Sequence, residues 1–93
     1  MIFEWDETKN LRTLAERGFD FAYAAQVFAD PGRLERVDTR RDYGEERRQT
    51  IGEVDGRVFF VAFTHRGPVI RIIWAKRAHD HEEKAYREGG AWR

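Results

Sequence analysis

The stretch that decides the fold is RVFFVAFTHRGPVIRIIWAKR, residues 57–77. Two long apolar runs flank a short polar segment, which predicts two adjacent antiparallel strands at the centre of a sheet. Cations interrupt the pattern at Arg66, Arg71, Lys76 and Arg77. Because burying an unpaired charge costs free energy, Arg71 either has a carboxylate partner or lies on a face that meets something anionic.

The register of this hairpin determines which side chains share a face. A four-residue loop over residues 65–68 would pair Ala62 with Arg71 and Phe59 with Trp74. A loop longer by one residue would re-sort the two faces. With the four-residue loop, the face under the helices would carry Phe59, Val61, Phe63, Ile70, Ile72 and Trp74, and a lighter face would carry Val58, Phe60, Ala62, Thr64, Arg71, Ile73, Ala75 and Arg77.

Two helices are predicted upstream of this hairpin. Residues 1–5 form an apolar opening that suits an edge strand, and Asp6 can cap a helix that ends near Arg17, before Gly18. Asp20 can cap a short second helix whose apolar stripe reaches Phe28. The Asp-Pro-Gly sequence at residues 30–32 then stops that helix, because proline disfavours helical geometry before it.

Strands and a last helix complete the predicted fold. Residues 33–41 suit a strand, residues 42–48 a polar loop, and residues 49–54 another strand that ends at the hairpin turn Asp55-Gly56. Asp80 with Glu83 matches the capping box of a last helix that runs to about Glu88. We therefore expect an α+β fold with two N-terminal helices packed on a small, mainly antiparallel sheet, and a C-terminal helix.

Length and composition predict one domain over residues 1–93, with residues 91–93 as a flexible tail. Hydrophobic residues make up 41% and charged residues 37%, which suits a folded chain with a solvated surface. The chain has no cysteine, and neither a signal peptide nor a membrane span is visible. These features predict a cytoplasmic protein. The last third carries seven Lys/Arg against four Asp/Glu, a small excess that is compatible with a polyanion site.

Several kinds of active site are excluded by residue type. There is no cysteine nucleophile and no serine, so acyl-transfer triads of these types are impossible. His65, His79 and His81 lack the spacing of a metal-ligand set, and we expect no metal and no cofactor. RNA cleavage remains possible, because a neighbouring 2′-hydroxyl can attack the phosphodiester while arginines stabilise the added negative charge.

The chain resembles the BrnT family of bacterial toxins along nearly its whole length. The matching residues are Trp5-Asp6-Glu7, Lys9-Asn10, Phe28, Asp30-Pro31, Gly44-Glu45, Arg47, Thr64, Arg66, Arg71-Ile72-Ile73, Ala75, Ala78, Glu82 and Tyr86. Each match is weak alone, whereas their order and spacing together are fairly specific. Two residues depart from the family pattern, since Trp74 stands where serine is usual and Lys76 where arginine is usual.

The resemblance implies a RelE-like fold and a toxin of a type II toxin–antitoxin system. Such a toxin would cleave RNA without metal, inhibit translation, and be neutralised by a BrnA-like antitoxin, expected to be a DNA-binding ribbon-helix-helix protein. Operator DNA would be bound only through the toxin–antitoxin complex, and no membrane contact is expected. The second hypothesis is a binding module with weak or no cleavage, which Trp74 and Lys76 motivate because lysine lacks the bidentate fork of arginine.

The candidate site residues follow from the cations of the last hairpin and from the family match. Each has a functional and a structural interpretation: Arg71 contacts phosphate or pairs with a carboxylate such as Glu45, and Glu45 is a general base or a salt-bridge partner. Trp5 and Trp74 pack in the core or stack on bases. The expected catalytic residues are Arg71, Lys76, Arg66 and Glu45, and the expected substrate-binding residues are Lys9, Thr64 and Arg77.

A binding partner is also predicted by the hairpin itself. The strand over residues 58–64 is apolar on both faces, which is typical of a sheet covered on both sides. About three helices are expected in the whole chain. We therefore expect an antitoxin segment or a second copy to cover the lighter face or an exposed edge of the sheet.

Overall fold

The structure is a computed structural model that describes residues 1–89 and Trp92. A five-stranded sheet in the order β1-β5-β4-β3-β2 carries three α-helices, which confirms the α+β class. No helix in the described part of the chain is long and apolar enough to span a membrane. The elements are β1 (Ile2–Trp5), α1 (Glu7–Arg17), α2 (Phe21–Ala24), a 3-10 segment (Ala25–Ala29), β2 (Leu34–Asp38), β3 (Arg47–Val54), β4 (Arg57–Arg66), β5 (Val69–Arg77) and α3 (Asp80–Glu88).

The N-terminal helices begin at the predicted caps. The Asp6 carboxylate accepts a hydrogen bond from the Lys9 amide at 3.1 Å, and α1 ends at Gly18 with a positive φ of 83°. Asp20 caps α2 in the same way through the Tyr23 amide at 2.8 Å. However, α2 has only four residues and continues as the 3-10 segment, so the second predicted helix is one short turn of α-helix.

The sheet is larger than the small sheet predicted, and it is mixed. β1 pairs in parallel with the first half of β5, and the other three pairings are antiparallel. The weakly patterned segment after Arg33 does form a strand, β2, which pairs with β3. β1 and β2 are therefore the two edges of the sheet.

The register of the β4–β5 hairpin differs from the prediction in two ways. The connection has two residues, Gly67 and Pro68, so that Thr64 pairs with Arg71. This two-residue difference leaves each side chain on its predicted face, because strand side chains alternate with a period of two. A β-bulge then follows, because Phe63 pairs with Ile72 but Ala62 pairs with Trp74.

The bulge reverses the predicted faces for the end of β5. Ala75 packs with the core under the helices, whereas Trp74 packs on the opposite face with Phe60, their ring centroids 5.0 Å apart. Arg77 pairs with Phe59 and lies on the helix side. The predictions that Trp74 lies in the core under the helices, and that Ala75 and Arg77 lie on the lighter face, are therefore wrong.

The helices and the 3-10 segment pack on one side of the sheet, which we call the helix face. Its core joins Phe21, Val27 and Phe28 to side chains of β4 and β5. Gly52 allows the 3-10 segment to approach β3 closely, because a Cβ at this position would lie 3.1 Å from the Val27 Cβ. The rest of this core includes Phe19, Ala24, Ala25, Val54, Phe59, Val61, Phe63, Ile70, Ile72 and Ala75.

The opposite side of the sheet, which we call the second face, is only partly covered. α3 lies over one end of it, above a smaller cluster that contains Ile51, Val58 and Phe60. Trp92 packs edge-on against Phe60, with their ring centroids 6.2 Å apart. Of the predicted flexible tail, Ala91 and Arg93 lie outside the described residues.

α3 itself begins where predicted, but with a different cap. The Glu82 carboxylate, and not that of Glu83, accepts a hydrogen bond from the backbone N–H of the N-cap residue His79, at 2.7 Å. Tyr86 then donates to the Asp30 carboxylate, which also accepts from the Glu53 amide at 2.8 Å. The Asp30 carboxylate therefore ties α3 both to the loop before β2 and to β3.

Candidate functional site

The second face is organised as three rows of side chains that run across the strands. The row under α3 contains Leu34, Ile51, Phe60 and Lys76, and we call it the covered row. A middle row contains Arg36, Gln49, Ala62 and Trp74. The third row, which we call the basic row, contains Asp38, Arg47, Thr64, Arg71 and Glu4.

The basic row brings together several of the predicted site residues. Thr64 lies between Arg47 on β3 and Arg71 on β5, and neighbouring strands are about 4.8 Å apart. Arg66 lies two residues beyond Thr64 on the same strand and therefore on the same face. Glu45, just before β3, carries a carboxylate between two of these arginines. Arg71, Arg66, Glu45 and Thr64, four of the predicted site residues, thus lie in or beside the basic row.

The ion pairs in this region are long and exposed to solvent. Glu45 lies 3.4 Å from Arg47 and 3.8 Å from Arg66, while Arg71 lies 3.6 Å from Glu4. The side chains of the three arginines are 33%, 53% and 28% exposed in the same order. Arg71 thus pairs with Glu4 of β1 and not with Glu45. Exposed pairs of this kind contribute little stability, so that an anionic ligand can exchange with the carboxylates.

Arg47 and Tyr43 are neighbours of this site that the sequence did not single out as site residues. The Arg47 guanidinium lies over the Tyr43 ring, 4.2 Å from its centroid. The Tyr43 hydroxyl donates to Asp38 at 3.0 Å, and Arg40 donates to both Asp38 oxygens at 2.9 Å. The hydrogen bonds from Arg40 hold the pKa of Asp38 well below its usual range, although burial acts in the opposite direction. Arg47 already stood among the residues that carry the family resemblance, which is the signal that could have found it.

Thr64 is the one buried member of the basic row. It is 2% exposed, and its hydroxyl donates to the Glu46 carbonyl at 2.7 Å. This hydrogen bond joins β4 to the residue before β3. Thr64 therefore positions the loop that carries Glu45, and its hydroxyl proton is engaged in the bond to the Glu46 carbonyl.

Lys76 lies apart from the basic row, under α3. It is 8% exposed, hydrogen-bonds the Glu82 carboxylate, and lies 4.7 Å from the centroid of the Phe60 ring. Burial alone would raise the pKa of Glu82, but the hydrogen bonds from Lys76 and the His79 amide outweigh it, so that the pKa is lowered. The structure does not bring Lys76 together with Arg71, since about 13 Å of strand separates their rows.

Two other predicted site residues lie on the helix side. Lys9 is exposed in the first turns of α1, which packs with α2 and β5. Arg77 lines a cleft beneath the end of α1. The structure therefore does not gather all the predicted site residues at one place: Lys76 lies under α3, and Lys9 and Arg77 lie on the helix side.

The chemistry available at the basic row is electrostatic and acid–base chemistry. Arg47, Arg66 and Arg71 outnumber the two carboxylates, Glu45 and Glu4, that pair with them. Planar guanidinium groups can hold two oxygens of one phosphate. Within residues 1–89 and Trp92, no group of three His, Cys, Asp or Glu side chains is arranged to hold a metal ion.

The family model for the ribonuclease toxin BrnT, of type II toxin–antitoxin systems, matches residues 5–82 of this chain. The match spans most of the 93 residues and includes four of the five strands and the whole basic row except Glu4. The chain belongs to the BrnT family. A comparison with curated proteins found no match.

The matched range contains residues of the basic row and residues that attach α3. The family is one of ribonuclease toxins, and a type II system pairs its toxin with an antitoxin. Arg66, Arg71 and Glu45 lie in the matched range, as do Asp30 and Glu82, which hold α3 in place. The residues that carried the sequence resemblance thus include one group at the open end of the second face and another that holds α3 over the other end.

Proposed function

We propose that this BrnT protein is a metal-independent endoribonuclease that binds the RNA backbone at the basic row. The observation that supports this most strongly is the set of three arginines around Thr64, one exposed and two partly exposed, whose carboxylate partners lie at 3.4–3.8 Å. An RNA phosphate would replace these carboxylates as the partner of Arg47, Arg66 and Arg71. This replacement costs little free energy, because solvent-accessible ion pairs contribute little to stability.

In the proposed reaction the RNA supplies its own nucleophile. The 2′-oxygen attacks the adjacent phosphorus, its proton passes to Glu45, and the bond from phosphorus to the 5′-oxygen breaks. The 5′-oxygen takes a proton from water, which leaves a 2′,3′-cyclic phosphate and a 5′-hydroxyl. Arg71 and Arg47 stabilise the extra negative charge on the phosphorus oxygens in the transition state. Lys9, Lys76 and Arg77 have no place in this step, because the structure holds them elsewhere.

Cleavage of purified RNA in excess EDTA tests this proposal. We expect cleavage to persist in EDTA and to fall about 100- to 1,000-fold in Arg71→Ala, as for loss of one charge-stabilising donor. Arg12→Ala is the matched control, because Arg12 is an exposed arginine on α1, and we expect it to cleave as the wild type does. No cleavage in EDTA, or equal rates for Arg71→Ala and wild type, would contradict the proposal.

The biological role that we propose is that of a cytoplasmic toxin whose RNA cleavage inhibits translation. A BrnA-like ribbon-helix-helix antitoxin would neutralise it and would carry the complex to operator DNA. The RelE-like fold implied by the resemblance stays a prediction. Expression of this chain alone should arrest bacterial growth, and co-expression of the protein encoded beside it should restore growth. Normal growth with the toxin alone would contradict the role.

One observation favours the second candidate, a BrnT-like binding module with weak cleavage. Lys76, which replaces the family's usual arginine, is buried in an ion pair with Glu82 and cannot reach an RNA phosphate at the basic row. If Lys76 is required for cleavage, this chain would bind RNA or antitoxin without cutting. Binding of RNA with no cleavage product after prolonged incubation would support this candidate over the enzyme.

A further inference from the structure

A second group of arginines lines a cleft on the helix face, at the opposite end of the sheet from the basic row. Arg17 ends α1, Arg57 begins β4 and Arg77 ends β5, and all three are exposed. The cleft has a volume of about 650 Å³. Along β4, the seven residue steps from Arg57 to Thr64 separate the cleft from the basic row by roughly 23 Å.

These three arginines differ from most others in the chain because they form no ion pair. Within residues 1–89 and Trp92, no carboxylate pairs with Arg17, Arg57 or Arg77. By contrast, ion pairs engage the arginines at positions 33, 40, 47, 48, 66, 71 and 87. A group of unpaired arginines around one concavity is an electrostatic environment that favours an anion.

Tertiary contacts hold the walls of the cleft in place. The Tyr23 hydroxyl donates to the Asp55 carboxylate at 2.6 Å, which ties the turn between β3 and β4 to α2. That turn has positive φ at Asp55 (51°) and Gly56 (80°), the geometry of a tight hairpin turn. Phe19 packs edge-on against Phe59 beneath it, with ring centroids 4.9 Å apart. The arginines therefore project from fixed elements.

The acidic side chains of the cleft are already engaged. Asp20 caps α2 through the Tyr23 amide, and Asp55 accepts the Tyr23 hydroxyl. The lining residues thus include three arginines against two aspartates, and only the arginines lack partners. An incoming anion would meet guanidinium groups whose donors face no competing carboxylate.

We propose that this cleft is a second phosphate-binding site, which holds a phosphodiester of an RNA strand away from the basic row. Phosphate suits three guanidinium groups because each planar fork can donate to two of its oxygens. The choice of RNA as the strand rests on the proposed function, whereas binding of the phosphate group does not. The site extends RNA contact to the helix face and places Arg77, which has no role at the basic row, in direct contact with the strand.

Titration with inorganic pyrophosphate, followed by NMR of backbone amides and arginine Nε–Hε groups, tests the phosphate site. We expect saturable shifts at Arg57, Arg77 and the turn at Gly56. The double variant Arg57→Gln/Arg77→Gln should bind at least tenfold more weakly, and Arg12→Gln, an exposed arginine outside the cleft, should bind as the wild type does. Shifts unchanged in the double variant, or an equal loss in Arg12→Gln, would overturn the site.

A conservative variant keeps the test decisive if the double glutamine variant does not fold. Arg57→Lys/Arg77→Lys keeps both charges and loses both forks, so its pyrophosphate affinity should fall several-fold. Affinity equal to that of the wild type would overturn the proposed role of the guanidinium groups.

Binding of a non-cleavable 2′-O-methyl RNA 12-mer, compared with binding of DNA of the same sequence, then tests whether the strand is RNA. The double glutamine variant loses two contacts to single-stranded phosphates. The slope of the logarithm of its RNA affinity against the logarithm of salt concentration should therefore be smaller than that of the wild type by about 1.4. A change for DNA but none for RNA would overturn the assignment to RNA. Pyrophosphate binding requires no cleavage, so failure of this site and failure of the Arg71→Ala cleavage test are separate results.

Discussion

The two ends of the second face hold the same kind of charge pair in different surroundings. Under α3, Lys76 and Glu82 form a buried pair whose side chains are 10% and 7% exposed. At the basic row, Arg71 and Glu4 form a pair 3.6 Å apart whose side chains are 28% and 42% exposed. The first pair is shielded from water, whereas solvent reaches both members of the second.

This difference follows from desolvation. A buried ion pair whose partner is removed leaves a charge that water cannot reach, which is strongly destabilising. An exposed pair loses only a weak, screened attraction when its partner is removed. Charge at the covered row therefore fixes the position of α3, and charge at the basic row is available for binding.

The largest effect is expected from Glu82→Ala. This change leaves Lys76 buried without a carboxylate and removes the acceptor of the His79 amide. The free energy of unfolding, measured by urea denaturation, should fall by about 3–5 kcal/mol. Glu83→Ala is the control, since its loose pair with Arg87 is exposed and its loss should cost about 0–1 kcal/mol. A loss below about 1 kcal/mol for Glu82→Ala would show that the buried pair does not hold α3.

A smaller effect is expected at the other attachment of α3. Tyr86→Phe removes the hydrogen bond to Asp30, which keeps its bonds from the Glu53 and Gly32 amides. The free energy of unfolding should fall by about 1–2 kcal/mol at pH 7.

The same bond predicts a pH dependence. The hydrogen bond to Asp30, followed by burial, raises the pKa of Tyr86 to about 12 from 10.0. Because the folded-state pKa is the higher one, this stabilisation is complete below pH 10 and is lost as the pH rises towards 12. Urea denaturation at pH 9 and pH 11 should show a loss in the wild type that is smaller in Tyr86→Phe. Equal losses in both proteins would contradict the assignment to Tyr86.

The sequence determined the faces of the β4–β5 hairpin only up to the β-bulge. Thr64 and Arg71 lie on the predicted face although the loop length was wrong, because an error of two residues preserves the alternation. Beyond the bulge a shift of one residue exchanges the faces, so Trp74 and Arg77 were misplaced. No glycine or proline in β5 marks the bulge, and it is therefore invisible to pattern analysis.

The ion-pair partners of the candidate site residues depend on the sheet topology, and the roles of these residues in catalysis and substrate binding stay predictions. A salt bridge to an arginine was one of two interpretations of Glu45, and its carboxylate lies 3.8 Å from Arg66. A carboxylate partner such as Glu45 was one of two interpretations of Arg71, but β1 lies parallel beside β5 and supplies Glu4 as the partner. A contact between residues 67 positions apart depends on the topology of the whole sheet, for which the local sequence gives no signal.

The smallest effect on stability, together with a large effect on activity, is expected from Glu45→Gln. Its pairs with Arg47 and Arg66 are exposed, so the free energy of unfolding should change by about 0–1 kcal/mol. If Glu45 accepts the 2′-hydroxyl proton, RNA cleavage should fall about 100-fold or more, because an amide cannot take up that proton. Glu46→Gln is the matched control, since the neighbouring Glu46 carboxylate pairs with Arg48 and should affect neither quantity strongly. A loss of several kcal/mol for Glu45→Gln would place the basic row among the structural ion pairs and remove the contrast with the covered row.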